Sequence, residues 1–410
     1  MKDKKETAQQ RMLGELSRRK FLSYSGVALG GIALAACGAS DSTTTTAAAA
    51  PGTTAAGATP TTAAGATPTT AAGASPTTTA GMSIPTTTIS KVTVGYNNPN
   101  RVLRAPLYIG QTKGFFEEVG ITEPLDINDA DDPIAPTIGG SYHLSLFDSD
   151  VLYDFEDKAT TSGDPQGLKM ININLGAQPL VLIANAGITA DNLAGKKVGG
   201  GREGQVNEAL CKYMLEQLGL DWQTDVEFIN TTGGSNDWVT LMLAGTLDAT
   251  IAFPRHIPLA EQVGGSALFQ DFLNSPQGGF GMLQSKIDED PNFPAAWAHA
   301  YIKAQQFCKT VDNFEEVRQI LNDDWEIDFP EEAYSVFDLD ATIMTQDLGF
   351  DPVEMDTWMD FLTPFGNVRD GVPWRDYTDV SGLHVAQAAL GLDANPAADF
   401  SSGKENVANY

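Results

Sequence analysis

Between residues 91 and 253 the apolar positions fall into short blocks of two kinds. Alternating or continuous apolar runs predict strands at "KVTVGY" (91–96), "YHLSLF" (142–147), "LKMININL" (168–175), "PLVLIANAG" (179–187), "KKVGG" (196–200), "DVEFIN" (225–230) and "LDATIAF" (247–253). Between them, apolar residues three and four apart predict helices at "RAPLYIGQTKGFFEEVGI" (104–121, ended by Gly120), "VLYDFEDKAT" (151–160), "EGQVNEALCKYMLEQLG" (203–219) and "NDWVTLMLAG" (236–245). This alternation predicts an α/β fold with parallel strands flanked by helices. From Pro294 onward the pattern turns helical: "PAAWAHAYIKAQQFCKTV", "NFEEVRQILNDDW", "EEAYSVFDLDATIM" and "DPVEMDTWMDFLTPFG". These helices are expected to cover the sheets. "QPLVLIANAG" (178–187) leaves the first block and "GGFGMLQSK" (278–286) returns from the second. Two crossings predict two lobes with a cleft between them, lobe 1 from 91–187 and 275–400 and lobe 2 from 188–274.

The chain before residue 91 has no such pattern. Residues 41–90 are mostly Thr, Ala, Gly and Pro, with TTAAGATP at Thr53 and Thr61 and TTAAGASP at Thr69. A segment without aromatic residues cannot bury a core, so residues 37–90 are expected to be a disordered linker, and residues 401–410 a disordered tail. The apolar run 26–36 is shorter than the ~20 residues a membrane helix needs. Basic residues precede it and small residues follow, the layout of an export signal. Ser17-Arg18-Arg19-Lys20-Phe21-Leu22 resembles a twin-arginine motif, and Leu34-Ala35-Ala36-Cys37-Gly38 resembles a bacterial lipobox. Residues 1–36 are therefore expected to be a signal peptide. Cys37 would be the lipidated residue that anchors the protein to the outer face of the cytoplasmic membrane.

The chain carries 53 acids against 25 bases, a net charge of −28. Such a balance argues against nucleic-acid partners, which require basic patches. The cysteines beyond Cys37 are Cys211 and Cys308, with no zinc-type spacing, so no metal site is expected. The two could pair in an oxidising compartment or lie buried as small apolar residues. His143, His256, His299 and His384 show no ligand spacing, and no G-x-S-x-G elbow is present.

Gly199-Gly200-Gly201-Arg202-Glu203-Gly204 satisfies G-x-G-x-x-G between a strand and a helix. The strand that follows ends at Asn230-Thr231-Thr232 without the carboxylate that would hold a ribose, so no dinucleotide cofactor is expected. A glycine loop before a helix still suits a polar or anionic ligand, to which Gly201 would offer backbone and Arg202 charge. Loops after strand ends add Asn97, Asn98, Asp148, Ser149, Thr231, Thr232 and Arg255 as polar candidates, with Tyr96, Trp238 and Phe253 as surfaces for stacking. The same residue types also cap helices and make turns, which is the plainer reading of each.

Three segments carry a family resemblance. "GYNNPNRVLRAPLYIGQTKGFFEEVGI" (95–121), "NLAGKKVGGGREGQVNEALCKYMLEQLGLD" (192–221) and "LMLAGTLDATIAF" (241–253) resemble ABC-transporter solute-binding proteins of the nitrate, sulfonate, taurine and thiamine-pyrimidine-precursor type. The resemblance implies a type II periplasmic-binding-protein fold that closes on a small solute and presents it to a permease and its ATPase, as a monomer and without cofactor. The loop 127–147 and the long helical part beyond Asn322 depart from it. The clustered cysteines of the fungal pyrimidine-precursor synthases are missing, so a non-enzymatic receptor is expected. An exported cofactor-dependent oxidoreductase and a ligand-sensing subunit of a signalling system are the rival readings.

Overall fold

The structure is a computed structural model and describes residues 83–96, 103–129, 132–327, 344–345 and 347–392. The expected signal peptide, Cys37, the linker, Asn97, Asn98, the tail and all of "EEAYSVFDLDATIM" before Met344 lie outside the described residues.

The chain enters with β1 (Thr93–Tyr96), α1 (Ala105–Thr112), α2 (Phe115–Glu118), β2 (Asp126–Asp129), α3 (Ile134–Ile138), β3 (Leu144–Asp148), α4 (Ser149–Ser162), β4 (Leu168–Met170) and β5 (Leu175–Ala184). It continues through β6 (Lys197–Gly199), α5 (Val206–Gln217), β7 (Glu227–Ile229), α6 (Ser235–Leu243), β8 (Ala249–Ala252), α7 (Ile257–Gln262) and β9 (Ser266–Leu283). Helices α8 (Gln284–Glu289), α9 (Phe293–Lys309), α10 (Phe314–Asp323), α11 (Pro352–Leu362) and α12 (Ser381–Ala389) follow. The single helix expected over 104–121 is two, because Gly114 takes a φ of +74° and turns the chain between α1 and α2.

The strand order is β2-β1-β3-β9-β5-β8-β6-β7, with β4 also on β9. In the first half β1 pairs in parallel with β2 and β3, and in the second β6 pairs in parallel with β7 and β8. Two long antiparallel strands join the halves. β9 pairs with β5 from Ser266 to Gly278, then with β3 and β4 from Gly278 to Leu283. The expected crossings fall on β5 and β9, but residues 178–184 pair with 266–273 while 278–283 pair with β3 and β4, and the expected lobe boundary at 274/275 falls inside β9. β9 enters the first half through glycine: a Cβ on Gly279 would lie 1.8 Å from the Asn172 carbonyl oxygen.

Helix α9 supplies the floor of the first half. Its Trp297 and Tyr301 meet Phe280 of β9 edge-on at 5.1 Å each. All three rings are buried, and burial of side chains this large stabilises by roughly 2–3 kcal/mol each. Helix α5 buries Leu210, Met214 and Leu215 in the same core. Cys211 and Cys308 are both buried and free, on α5 and α9. Among the described residues no helix is long and apolar enough to cross a membrane.

Candidate functional site

In the second half, β6 delivers the chain to the glycine loop. Phe228 of β7 lies against Gly200, whose Cβ would sit 2.0 Å from the ring, so no side chain fits there. Gly201 adopts a φ of +85°, and a Cβ on it would sit 3.1 Å from Cβ of Asn207 and 3.5 Å from the Trp238 ring. Thr231 fixes this turn: its N–H donates to the Gly201 carbonyl at 2.7 Å and its Oγ1 accepts from the Gly201 N–H at 3.2 Å. The buried Thr231 hydroxyl therefore shapes the loop, while Thr232 is exposed.

Behind the loop stands a buried ion pair. Glu208 accepts from the Gly204 N–H at 2.6 Å and meets Lys212 at 2.7 Å. Lys212 in turn lies 4.2 Å from the Trp222 ring centre and 5.6 Å from that of Phe228. Each charge has partners on more than one side, which is what lets such a pair stay buried. Arg202 is half-buried and makes no ion pair or hydrogen bond through its side chain among the described residues.

Nearby, the chain after β8 is tied to the start of α6. Arg255 stacks 4.6 Å over Phe253 and donates to Ser235 Oγ at 3.1 Å. His256 Nδ1 accepts from the Phe253 N–H at 3.2 Å, which leaves Nε2–H to donate to Asn236 Oδ1 at 2.9 Å. Burial, aided by the Arg255 charge, pushes the imidazole pKa down to about 3, so His256 stays neutral. Phe253 and Arg255 therefore pack together here.

The first half contributes the junction of β3 and α4. Ser149 is buried and its hydroxyl donates to the Pro276 carbonyl at 2.8 Å, anchoring α4 to β9. Asp150, which the sequence reading passes over, is 1% exposed and has one carboxyl oxygen, Oδ1, without a partner among the described residues. Burial raises the pKa of both Asp148 and Asp150, and the Asp148 charge raises that of Asp150 further. The N-terminus of α4 favours negative charge by only about 0.3–1 kcal/mol, too little to offset the buried Asp150 carboxylate beside the half-buried Asp148. The pair holds protons above the ordinary carboxyl range.

Asn367 joins these two places. Its Nδ2 donates to the Gly204 carbonyl at 2.9 Å and to Asp150 Oδ2 at 3.3 Å. Asn207 Oδ1 and Trp238 Nε1, both beside Gly201, also lack partners among the described residues. Tyr96 belongs to a different setting. Its ring is buried against Phe280, its hydroxyl donates to the Leu103 carbonyl at 2.7 Å, and Arg104 lies 4.9 Å over the ring. No group of three or more His, Cys, Asp and Glu side chains among the described residues could hold a metal ion.

The model of the NMT1-like family matches residues 87–322. The nitrate/nitrite binding protein NrtA of Nostoc sp. is 27% identical over 245 residues, 53% of this chain and 54% of that protein. The chain thus spans about half the length of the curated relative it matches. The periplasmic nitrate-binding protein NrtA of Synechocystis superposes with a TM-score of 0.55 at 17% identity, over 74% of this chain and 90% of that one. The periplasmic aliphatic sulphonate binding protein SsuA of Escherichia coli gives 0.54 at 16% identity, over 70% and 91%. The fold is that of the periplasmic binding proteins.

Proposed function

This chain belongs to the NMT1-like family, and we propose that it is an extracytoplasmic solute receptor of an ABC importer. In this reading Cys37 is lipidated and anchors the chain, and the linker to residue 90 lets the folded part reach a permease. Lobe 1 (91–187 and 275–400) and lobe 2 (188–274) close on a small solute by its differential affinity for the closed state. The names of the relatives support the role, since those proteins bind nitrate, nitrite or sulphonates.

The solute lies between the Asp148–Asp150 junction and the glycine loop, and Asn97 and Asn98, outside the described residues, are the further candidates that the sequence offers. Thr231, Thr232, Trp238, Phe253 and Arg255 shape the wall on the second side, Ser149 backs the first by holding α4 to β9, and Tyr96 packs in the core against Phe280. The observation that carries this reading is Asp150: a buried carboxyl with one oxygen held by Asn367 and the other without a partner among the described residues. A bare anion would face two acids there. A solute with a hydrogen-bond-donating nitrogen suits Asp150 and Asn207, and an acceptor or anionic group on the same solute suits Arg202. The function is thus capture of a small polar organic solute that carries both.

Isothermal titration of nitrate, a simple alkanesulfonate, an aminosulfonate and an aminopyrimidine tests this. Amine-bearing solutes are expected to bind, with a loss of roughly tenfold or more in Asp150→Asn, the range for a charge-assisted hydrogen bond. Nitrate binding that Asp150→Asn leaves unchanged would overturn the solute class. Failure of every solute to bind would count against the receptor itself.

A further inference from the structure

The family match ends at residue 322, yet the described chain runs on to residue 392. The residues from 344 onward are fastened to the first half largely through backbone. Thr345 N–H donates to the Asn174 carbonyl at 3.0 Å, and Leu348 O accepts from Ile173 N–H at 2.9 Å, both just before β5. Further along, Asp379 N–H donates to the Met170 carbonyl at 2.8 Å, beside the Met170–Thr378 bridge. Arg369 pairs with the buried Asp157 of α4, Nη2 to Oδ1 at 2.7 Å, and the Tyr377 hydroxyl donates to the same oxygen at 3.2 Å.

Contacts with the second half are of another kind. Phe361 of α11 meets Tyr213 of α5 edge-on at 5.3 Å, and Asn367 Nδ2 donates to the Gly204 carbonyl. Both are side-chain contacts that separation of the halves can break without unfolding anything. Asn367 is 6% exposed and touches Asp150 and Gly204 with one nitrogen.

We propose that residues 344–392 form a strap fixed to the first half and latched to the second by Asn367, which sets how far the two halves open and how Asp150 faces the solute. Asn367 is then a positioning residue. It holds the acid and the glycine loop at one separation before any solute arrives. Opening leaves the strap on the first half and releases Gly204 and Tyr213. The proposal rests on the two-lobed reading above but on no particular solute.

Single-molecule energy transfer without solute tests it. Dyes are placed at Ser162→Cys and Gln223→Cys, both exposed, in the full chain with Cys37→Ser; Cys211 and Cys308 are buried and do not label. The parent is expected to show a main short-distance population and a minor long-distance one. Asn367→Ala should raise the long-distance population by roughly two- to tenfold, the range that loss of an ordinary hydrogen bond gives. Asn367→Asp should open the protein further at neutral pH, because a carboxylate cannot donate to Gly204 and adds charge beside Asp150. Its field is set by Asp148 at the end of β3, by Asp150 on α4, by the Glu208–Lys212 pair behind Gly204, and by Arg369 on its own loop paired with Asp157 of α4. Phe361→Leu weakens the latch at Tyr213, apart from Asp148 and Asp150, and should open the protein by a smaller factor. Identical distance distributions in all four folded proteins would overturn the strap. A graded opening supports it whether or not the proposed solute class binds.

Discussion

The two sides of the candidate site are built on opposite plans. On the glycine-loop side Glu208 is buried with two partners, a backbone N–H and Lys212. On the α4 side Asp150 is buried next to another acid, with one carboxyl oxygen that has no partner among the described residues. The first arrangement is complete in the absence of ligand, so it serves as a fixed wall. The second is incomplete, and that is where a ligand has something to supply. Two carboxylates of similar burial thus hold opposite places, one structural and one receptive.

The contrast is broken most severely by Glu208→Ala, which strands the Lys212 ammonium and the Gly204 N–H. A loss of about 3–5 kcal/mol is expected in denaturant unfolding. Gly200→Ala comes next: the new methyl meets the Phe228 ring, and overpacking of this kind costs about 1–3 kcal/mol, seen as a lower Tm. Asp150→Asn has the opposite sign. The folded state holds protons on Asp148 and Asp150 that the unfolded chain releases near pH ~4, so stability is full at low pH and falls as pH rises through the raised pKa values. Asp150→Asn should flatten that decline and, at alkaline pH, stabilise by on the order of 1–2 kcal/mol in unfolding titrations across pH. A stability profile in Asp150→Asn that falls as steeply as the parent's would show the two carboxyls to be alike after all. Arg202→Ala should change stability by less than about 0.5 kcal/mol, since its side chain has no partner to lose among the described residues, while weakening solute binding in titration.

The local pattern was a good guide where an element's reason for forming lies within it. β1, β3, β6, β8 and α5 appear within a few residues of the apolar blocks that predict them. β2 was not legible, because "DIND" is polar and becomes a strand only by pairing with β1 at the sheet edge. β9 was partly hidden for another reason. Residues 274–277 carry no strand pattern, and the stretch is held by the pairs that flank it, Asn274 with Ala177 and Gly278 with both Leu175 and Asp148. The glycine loop was legible as a loop before a helix, and its Thr231 partner as a candidate. Asp150 was not singled out, since an acid in the first turn of a helix has an ordinary reason to be there. Asn367 carried no signal at all: it meets Asp150 across 217 residues of chain, and no local pattern encodes such a contact.

The β5–β9 ladder slips twice, between Leu182 and Ile183 and between Leu175 and Ala177, the second at the place where β9 passes from one half to the other. Mechanically, a ribbon two strands wide is a torsion spring, and a slipped ladder is its most compliant point. Rotation of one half against the other would concentrate there rather than in a slack loop. Such a pivot stores its return path in hydrogen bonds that bend without breaking, so reclosing would not repeat the entropic cost of ordering a loop.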